Sequence, residues 1–506
     1  MNGHVMPGIP TYIFTIGVAI ILALSFYLLV RYQRVSTTSG SGYWTFDLLR
    51  FPWVSRLIRS RKTRLILQMF TVFLFLFIIA TGLFGIQDAS LNLSTVLTWT
   101  IWWIVLVLFI LFAGKLWCYI CPWDAIATWI DKLHLHKVRK SVFSLSQKWP
   151  KFWRNIYFAT GLFLLLTWLE LGWGVTSKPA VTAYLALVIL FMSIFATVIF
   201  DRKSFCRYAC LIGRISGLYA LISPIEVRAR DKNICATCTT KDCYNGNQLG
   251  YACPTYQYLG SMEKNTYCIT CMECVKTCTK NNATVQLRPF GVDLLKVHQS
   301  RKDEAALILI MLAMTSFHGL TMTPVWYTFT DWIEQLLGIN YTMAFTIGMA
   351  VSLVVVWLYY YLTIYLTHIV MKKIKTLKEI FIKQAYSLLP IALFYHLAHN
   401  LMHFSMEGGK VFSVISDPFG FGWNLFGTRD LGIGPLLSME AIWLWQVVFV
   451  LVGHVWSLII SHKVAAVTYG ENRSFKDELP MVIAMIVYSV ISLYLIAQPM
   501  EMRTSM

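Results

Sequence analysis

The sequence predicts a mainly α, polytopic membrane protein of about ten transmembrane helices, interrupted by one soluble α+β insert. Three observations predict it. Hydrophobic residues fill 57% of the 506 positions and charged residues only 13%. Apolar runs longer than the roughly 18 residues needed to cross a bilayer core recur along the chain. Between residues 201 and 303 those runs stop, and Asn, Thr, Lys and Cys take over.

Ten spans are expected near residues 10–31, 65–86, 95–117, 155–173, 180–200, 304–326, 341–366, 384–404, 436–461 and 480–498. The first has no charged leading segment and no small-residue cleavage site, so it reads as a retained helix. Three parts follow: residues 1–200 with five spans, the soluble insert 201–303, and residues 304–506 with five more. No internal repeat stands out.

The net charge of +18 suggests nucleic acid until its distribution is read. Arg31, Arg34, Arg50, Arg56, Arg59, Arg61, Lys62 and Arg64 follow the first span. Lys132, Lys137, Arg139, Lys140, Lys148, Lys151 and Arg154 follow the third, and Lys372, Lys373, Lys375, Lys378 and Lys383 follow the seventh. Residues 87–94 and 327–340, on the alternate side, carry no Lys or Arg. By the positive-inside rule the basic loops and the insert are cytoplasmic and the N-terminus is outside. The basic excess therefore marks topology and attraction to anionic membrane lipid, with no nucleic-acid partner expected.

All 12 cysteines fall into tight groups. Cys268, Cys271, Cys274 and Cys278 have the C-x2-C-x2-C-x3-C spacing of a bacterial-ferredoxin-like domain, in which three thiolates hold one [4Fe-4S] cluster and the fourth ligates the other. Applied here, Cys235, Cys238, Cys243 and Cys278 hold one cluster, and Cys253, Cys268, Cys271 and Cys274 hold the second. The first run departs from the usual spacing, with four residues between Cys238 and Cys243 and nine between Cys243 and Cys253. Structural zinc and disulfides are the alternatives; zinc more often takes two separated C-x2-C pairs, and a cytoplasmic segment disfavours disulfides.

Four cysteines remain at membrane edges. Cys118 and Cys121 close the third span before Pro122, and Cys206 and Cys210 follow the fifth. They are candidates for a third cluster, a redox dithiol, a soft-metal site or plain packing. With these residues the chain resembles the membrane polyferredoxins of the NapH, NosR and CcoG types, over roughly residues 65–280. Those proteins repeat a membrane motif C-x3-C-P. Here the first copy is one residue short, and the second has Leu211 in place of proline. The resemblance implies iron-sulfur electron transfer in the bacterial cytoplasmic membrane. It does not extend to the covalent flavin of the NosR type, whose large periplasmic domain has no counterpart here.

Histidines inside the later spans are the second feature. His396, His399 and His403 form a stripe on the eighth span. Intramembrane ionisable residues are costly and therefore functional candidates. Reckoned by depth, His318 lies level with His399 or His403 in the outer half, while His368 and His454 lie towards the cytoplasm with His462 near that edge. Paired on facing helices, they could ligate two b-type hemes. The alternatives are hydrogen-bonded packing, a quinone or proton path, and a non-heme metal on the three-histidine stripe. Glu170 is a candidate proton relay or an interfacial carboxylate, and Trp102, Trp103, Trp168 and Trp173 read as packing or aromatic belt.

The function these features predict is membrane iron-sulfur electron transfer between the quinone pool and a periplasmic or membrane redox partner, as a candidate quinol dehydrogenase subunit. A copper-site assembly or reductase factor and a redox-coupled transporter are the rival readings. No acid-base or nucleophilic catalytic set is visible.

Overall fold

The computed structural model describes residues 5–32, 42–135, 138, 141–371, 375–470 and 474–501. The expectations resting on Arg34, Lys137, Arg139, Lys140, Lys372 and Lys373 lie outside the described residues. The chain is a mainly α polytopic protein, and among the described residues nine helices are long and apolar enough to cross a membrane. The expected fourth span is the exception. Helix α4 (Tyr157–Leu171) has 15 residues, about 22 Å of length, short of a core about 30 Å thick.

The apolar helices carry local signals that start and stop them. Ser60 accepts from Thr63 N–H at 3.2 Å and caps α2 (Arg61–Phe84), which follows α1 (Thr11–Tyr32). The third span, Leu93–Lys132, is one hydropathic unit but not one helix. A π-helical stretch, Val96–Trp102, leads into α3 (Trp103–Ala113), which breaks at Gly114, where φ is +60°. That conformation suits glycine, and it turns Lys115 into the protein, where it is 1% exposed. The short helix Trp117–Ile120 follows, and then Pro122–Lys132.

Beyond α4 come α5 (Pro179–Ile199) and α6 (Leu211–Tyr219). The second bundle comprises α7 (Lys302–Leu320), α8 (Pro324–Leu337), α9 (Tyr341–Val370), α10 (Leu389–Glu407), α11 (Met439–Tyr469) and α12 (Phe475–Ala497). Strands β1 (Val5–Met6) and β5 (Met500–Glu501) pair antiparallel and tie the two ends of the described chain together. The two bundles share one apolar core, with Leu106 and Ile110 of α3 in the same cluster as Leu389 and Leu393 of α10.

The insert is built on a three-stranded antiparallel sheet in the order β2 (Phe46–Asp47), β4 (Ala283–Leu287), β3 (Ile225–Ala229). Strand β2 comes from before the second span, so the soluble unit draws on residues outside 201–303. The reason is electrostatic as well as geometric. Arg230 pairs with Asp47 at 2.8 Å, and Arg61 and Arg64 pair with Glu273 at 3.0 and 3.4 Å. Part of the basic run after α1 is thus bonded to the insert, which seats it on the face where that run emerges.

Under the sheet lies a buried ionic cluster. Arg288 and Asp293 are both fully buried and paired, and Arg288 also holds Glu226 at 2.9 Å. Arg228 reaches Glu226 at 3.2 Å and Asp293 at 3.4 Å, and Lys296 reaches Asp293 at 3.0 Å. Asp293 also accepts the Asn265 N–H at 2.8 Å, which fixes the loop leading to Cys268.

Candidate functional site

The two insert quartets expected from spacing are each brought together. Cys235, Cys238, Cys243 and Cys278 line one small cavity with Tyr258 and Asn282. Asn282 donates from its side chain to Cys235 Sγ and from its backbone to Cys278 Sγ, both at 3.3 Å. Cys253, Cys268 and Cys271 lie within electrostatic reach of Cys274, and Gln257 N–H donates to Cys253 Sγ at 3.2 Å. None of the 12 cysteines forms a disulfide. N–H donors aimed at sulfur fit thiolate ligands of iron-sulfur clusters, whose potentials such bonds tune. Burial pushes the Cys271 thiol up to about 12, with Cys253 and Glu273 adding to it, and burial pushes Cys243 up to about 11. Metal binding must therefore displace their protons.

Cys243 lies within electrostatic reach of Cys274, so the two quartets adjoin.

The membrane-edge cysteines form a third quartet. Cys118, Cys121, Cys206 and Cys210 line a single apolar cavity of about 160 Å³. Each pair is presented by the same local device. Cys121 directly precedes the helix Pro122–Lys132, and Cys210 directly precedes α6, where its Sγ accepts Gly213 N–H at 3.2 Å. Pro122 and Leu211 both occupy the first helical position, which favours proline without requiring it. The departure at Leu211 is accordingly conservative in geometry. Two helix N-termini pointing at the quartet favour the negative charge of a thiolate-bound cluster. Asp124 lies 3.8 Å from Cys206 Sγ and is itself paired with Lys203 and Arg64.

Lys115 joins the edge quartet to the insert. Its ammonium lies within electrostatic reach of Cys118, Cys210 and Cys268, and donates to the Thr266 carbonyl at 3.5 Å. α6 packs on that same loop so closely that a Cβ on Gly217 would meet Thr266 O at 2.4 Å. The three quartets therefore follow one another without a large gap.

From the edge quartet an aromatic path enters the bundle. Trp117 lies against Trp102 at 5.5 Å between ring centroids, Trp102 against Trp103 at 6.1 Å, and Trp103 against His396 at 5.9 Å. Trp102 and Trp103 were expected to be packing or belt residues; they pack, but as steps of this path. Trp103 Nε1–H donates to His396 Nε2 at 3.2 Å, and Tyr219 Oη bonds Nδ1 at 3.3 Å. Accepting at Nε2 leaves Nδ1 as the protonated nitrogen.

The structure places the histidines of the expected heme pairs as follows. Both nitrogens of His396 are taken as above, and both of His454 bond Ser25 and Ser489, at 2.7 and 2.9 Å. His462 bonds Glu478 at 2.7 Å, and His368 sits half-buried near the end of α9. His318, His399 and His403 pack directly on one another with centroids 4.6 to 6.3 Å apart. The expected stripe also changes membership, since His318 joins His399 and His403 while His396 serves the aromatic path.

Sequence reasoning missed Lys115, Asp124 and Asn282. Lys115 carried a signal, being a lone lysine at the end of an apolar span beside Gly114.

The profile of a 4Fe-4S binding domain matches the chain twice, at residues 95–141 and 182–227. No curated protein and no solved structure matches it. The two matches enclose Cys118 with Cys121 and Cys206 with Cys210, so the repeat that the bare sequence hid is the helix, cysteine pair and helix N-terminus seen twice around one cavity. The chain is a multi-pass membrane protein with 4Fe-4S binding domains, and its role is iron-sulfur electron transfer.

Proposed function

We propose that the chain carries three [4Fe-4S] clusters in series, held by Cys235, Cys238, Cys243 and Cys278, by Cys253, Cys268, Cys271 and Cys274, and by Cys118, Cys121, Cys206 and Cys210. It links the quinone pool to a redox partner protein, as the membrane polyferredoxins it resembles do, with its insert on the cytoplasmic side. The observation that carries this reading is the convergence of the two matched cysteine pairs on one cavity, with Lys115 between that cavity and Cys268. When bound, the clusters supply one-electron chemistry. The chain's residues hold them, order them and keep water from the innermost one.

Iron and acid-labile sulfide counts on the purified protein, with a reduced-minus-oxidised spectrum, test it. About twelve of each per chain are expected, falling to about eight in Cys206→Ser. About eight in the unsubstituted protein removes the third cluster from the proposal.

A further inference from the structure

The group formed by His318, His399 and His403 has no part in the cluster relay. One candidate ligand nitrogen from each residue lies within 4.8 Å of the others. His399 and His403 are four apart on α10 and share a face, while His318 comes from the neighbouring α7. A metal about 2.1 Å from each nitrogen needs the nitrogens roughly 3–3.5 Å apart, a closure within reach of small side-chain rotations.

Two further observations point to a ligand here. A cavity of about 40 Å³ opens beside the group, lined by His318, His399, Glu170, Met311 and Met314. That is room for a small ligand next to His318 and His399. The same cavity is lined by Trp103 and His396, so the aromatic path from the edge quartet ends at it.

His318 lies sixteen residues beyond Lys302, roughly 24 Å along the helix and on the side away from the cysteines. Three neutral nitrogen donors with no thiolate suit a borderline first-row metal, and copper heads that series. The sulfurs of Met311 and Met314 favour the softer cuprous state in the same pocket.

We propose that His318, His399 and His403 hold one copper ion, leaving a coordination position open to the cavity. Its occupancy is independent of the cluster proposal. A place for it at the far end of the electron path rests on that proposal.

The test uses the full-length holoprotein in detergent under anaerobic conditions. Copper is counted beside acid-labile sulfide, before and after copper(II) sulfate and removal of excess, and the copper(II) EPR spectrum is recorded after the bound copper has been oxidised with ferricyanide. One copper per chain with nitrogen hyperfine structure is expected. His399→Gln and His403→Gln should bind copper at least tenfold more weakly with sulfide unchanged. Absence of a stoichiometric copper in the unsubstituted protein overturns the proposal, as does copper held equally well by both variants. Because sulfide reports the clusters and copper reports the histidines, either idea can fail while the other stands. Should a variant lose sulfide through misfolding, the unsubstituted protein still decides.

Discussion

Lys115 concentrates the question of how a single residue can govern electron flow. It is a buried cation facing Cys118, Cys210 and Cys268. A positive charge near a cluster favours its reduced, more negative state, and in a buried site it is weakly screened. Lys115→Met keeps much of the aliphatic stem while removing the charge and the bond to Thr266. The edge cluster's potential is expected to fall by on the order of tens of millivolts, read by EPR-monitored redox titration, with iron and sulfide counts unchanged. An unmoved potential would place Lys115 outside the relay. Legibility at this scale was uneven. The insert cysteines could be grouped from spacing because a cubane demands four close thiolates, whereas the partners of Cys118 and Cys121 lie more than eighty residues away across two helices, and only folding brings them together. Depth along the helices put His318 level with His399 or His403, and the structure brings these three together, whereas helical spacing alone did not separate His396 from them. His396 and His399 are three residues apart, yet one faces Trp103 and Tyr219 while the other faces His318.

At the scale of elements, the helix starts after Cys121 and Cys210 carry the argument. Cys210 has φ −67° and ψ 107°, the extended conformation that a following proline requires, and Leu211 stands at the first helical position. Leu211→Pro should therefore leave the cluster intact, at a cost of about 1–2 kcal/mol from lost side-chain packing. Cluster absorbance and a thermal melt check it. Loss of iron would show that the two cysteine pairs are not presented alike. The opposite outcome is expected six residues later. Gly217→Ala drives a methyl group to 2.4 Å from Thr266 O, so α6 and the Cys268 loop must separate, costing about 1–3 kcal/mol. Electron exchange between the second and edge clusters, followed by freeze-quench EPR, should slow. The spans themselves were largely legible because hydropathy reports burial in lipid directly. α4 and the broken third span were less so, since hydropathy does not register helix length or a break such as Gly114.

For the whole molecule, the issue is how a small soluble unit is locked to a membrane bundle. Its borders were only partly visible in the sequence, because strand β2 enters from before the second span and two residues of strand leave almost no periodicity to read. Asp293 lies where the pieces meet, bonding Arg288 after β4, Arg228 of β3, Lys296 ahead of α7 and the Asn265 N–H of the Cys268 loop. Burial opposes its ionisation, but Arg288 and Arg228 outweigh that cost and hold the carboxyl at about 2 against an ordinary 3.8. A depressed folded-state pKa stabilises above the unfolded value, so this contribution is complete above about pH 5 and drains away as pH falls from about 4 towards 2. Asp293→Asn removes it at every pH and leaves Arg288 and Arg228 short of a counter-charge. A loss on the order of 3–5 kcal/mol is expected near neutral pH. The melting temperature, followed by far-UV circular dichroism because acid releases the cluster sulfide, should drop in the variant at pH 7, and the gap to the unsubstituted protein should narrow on approaching pH 3. A gap of equal size at both pH values would mean that the substitution acts through packing and not through the charge of Asp293.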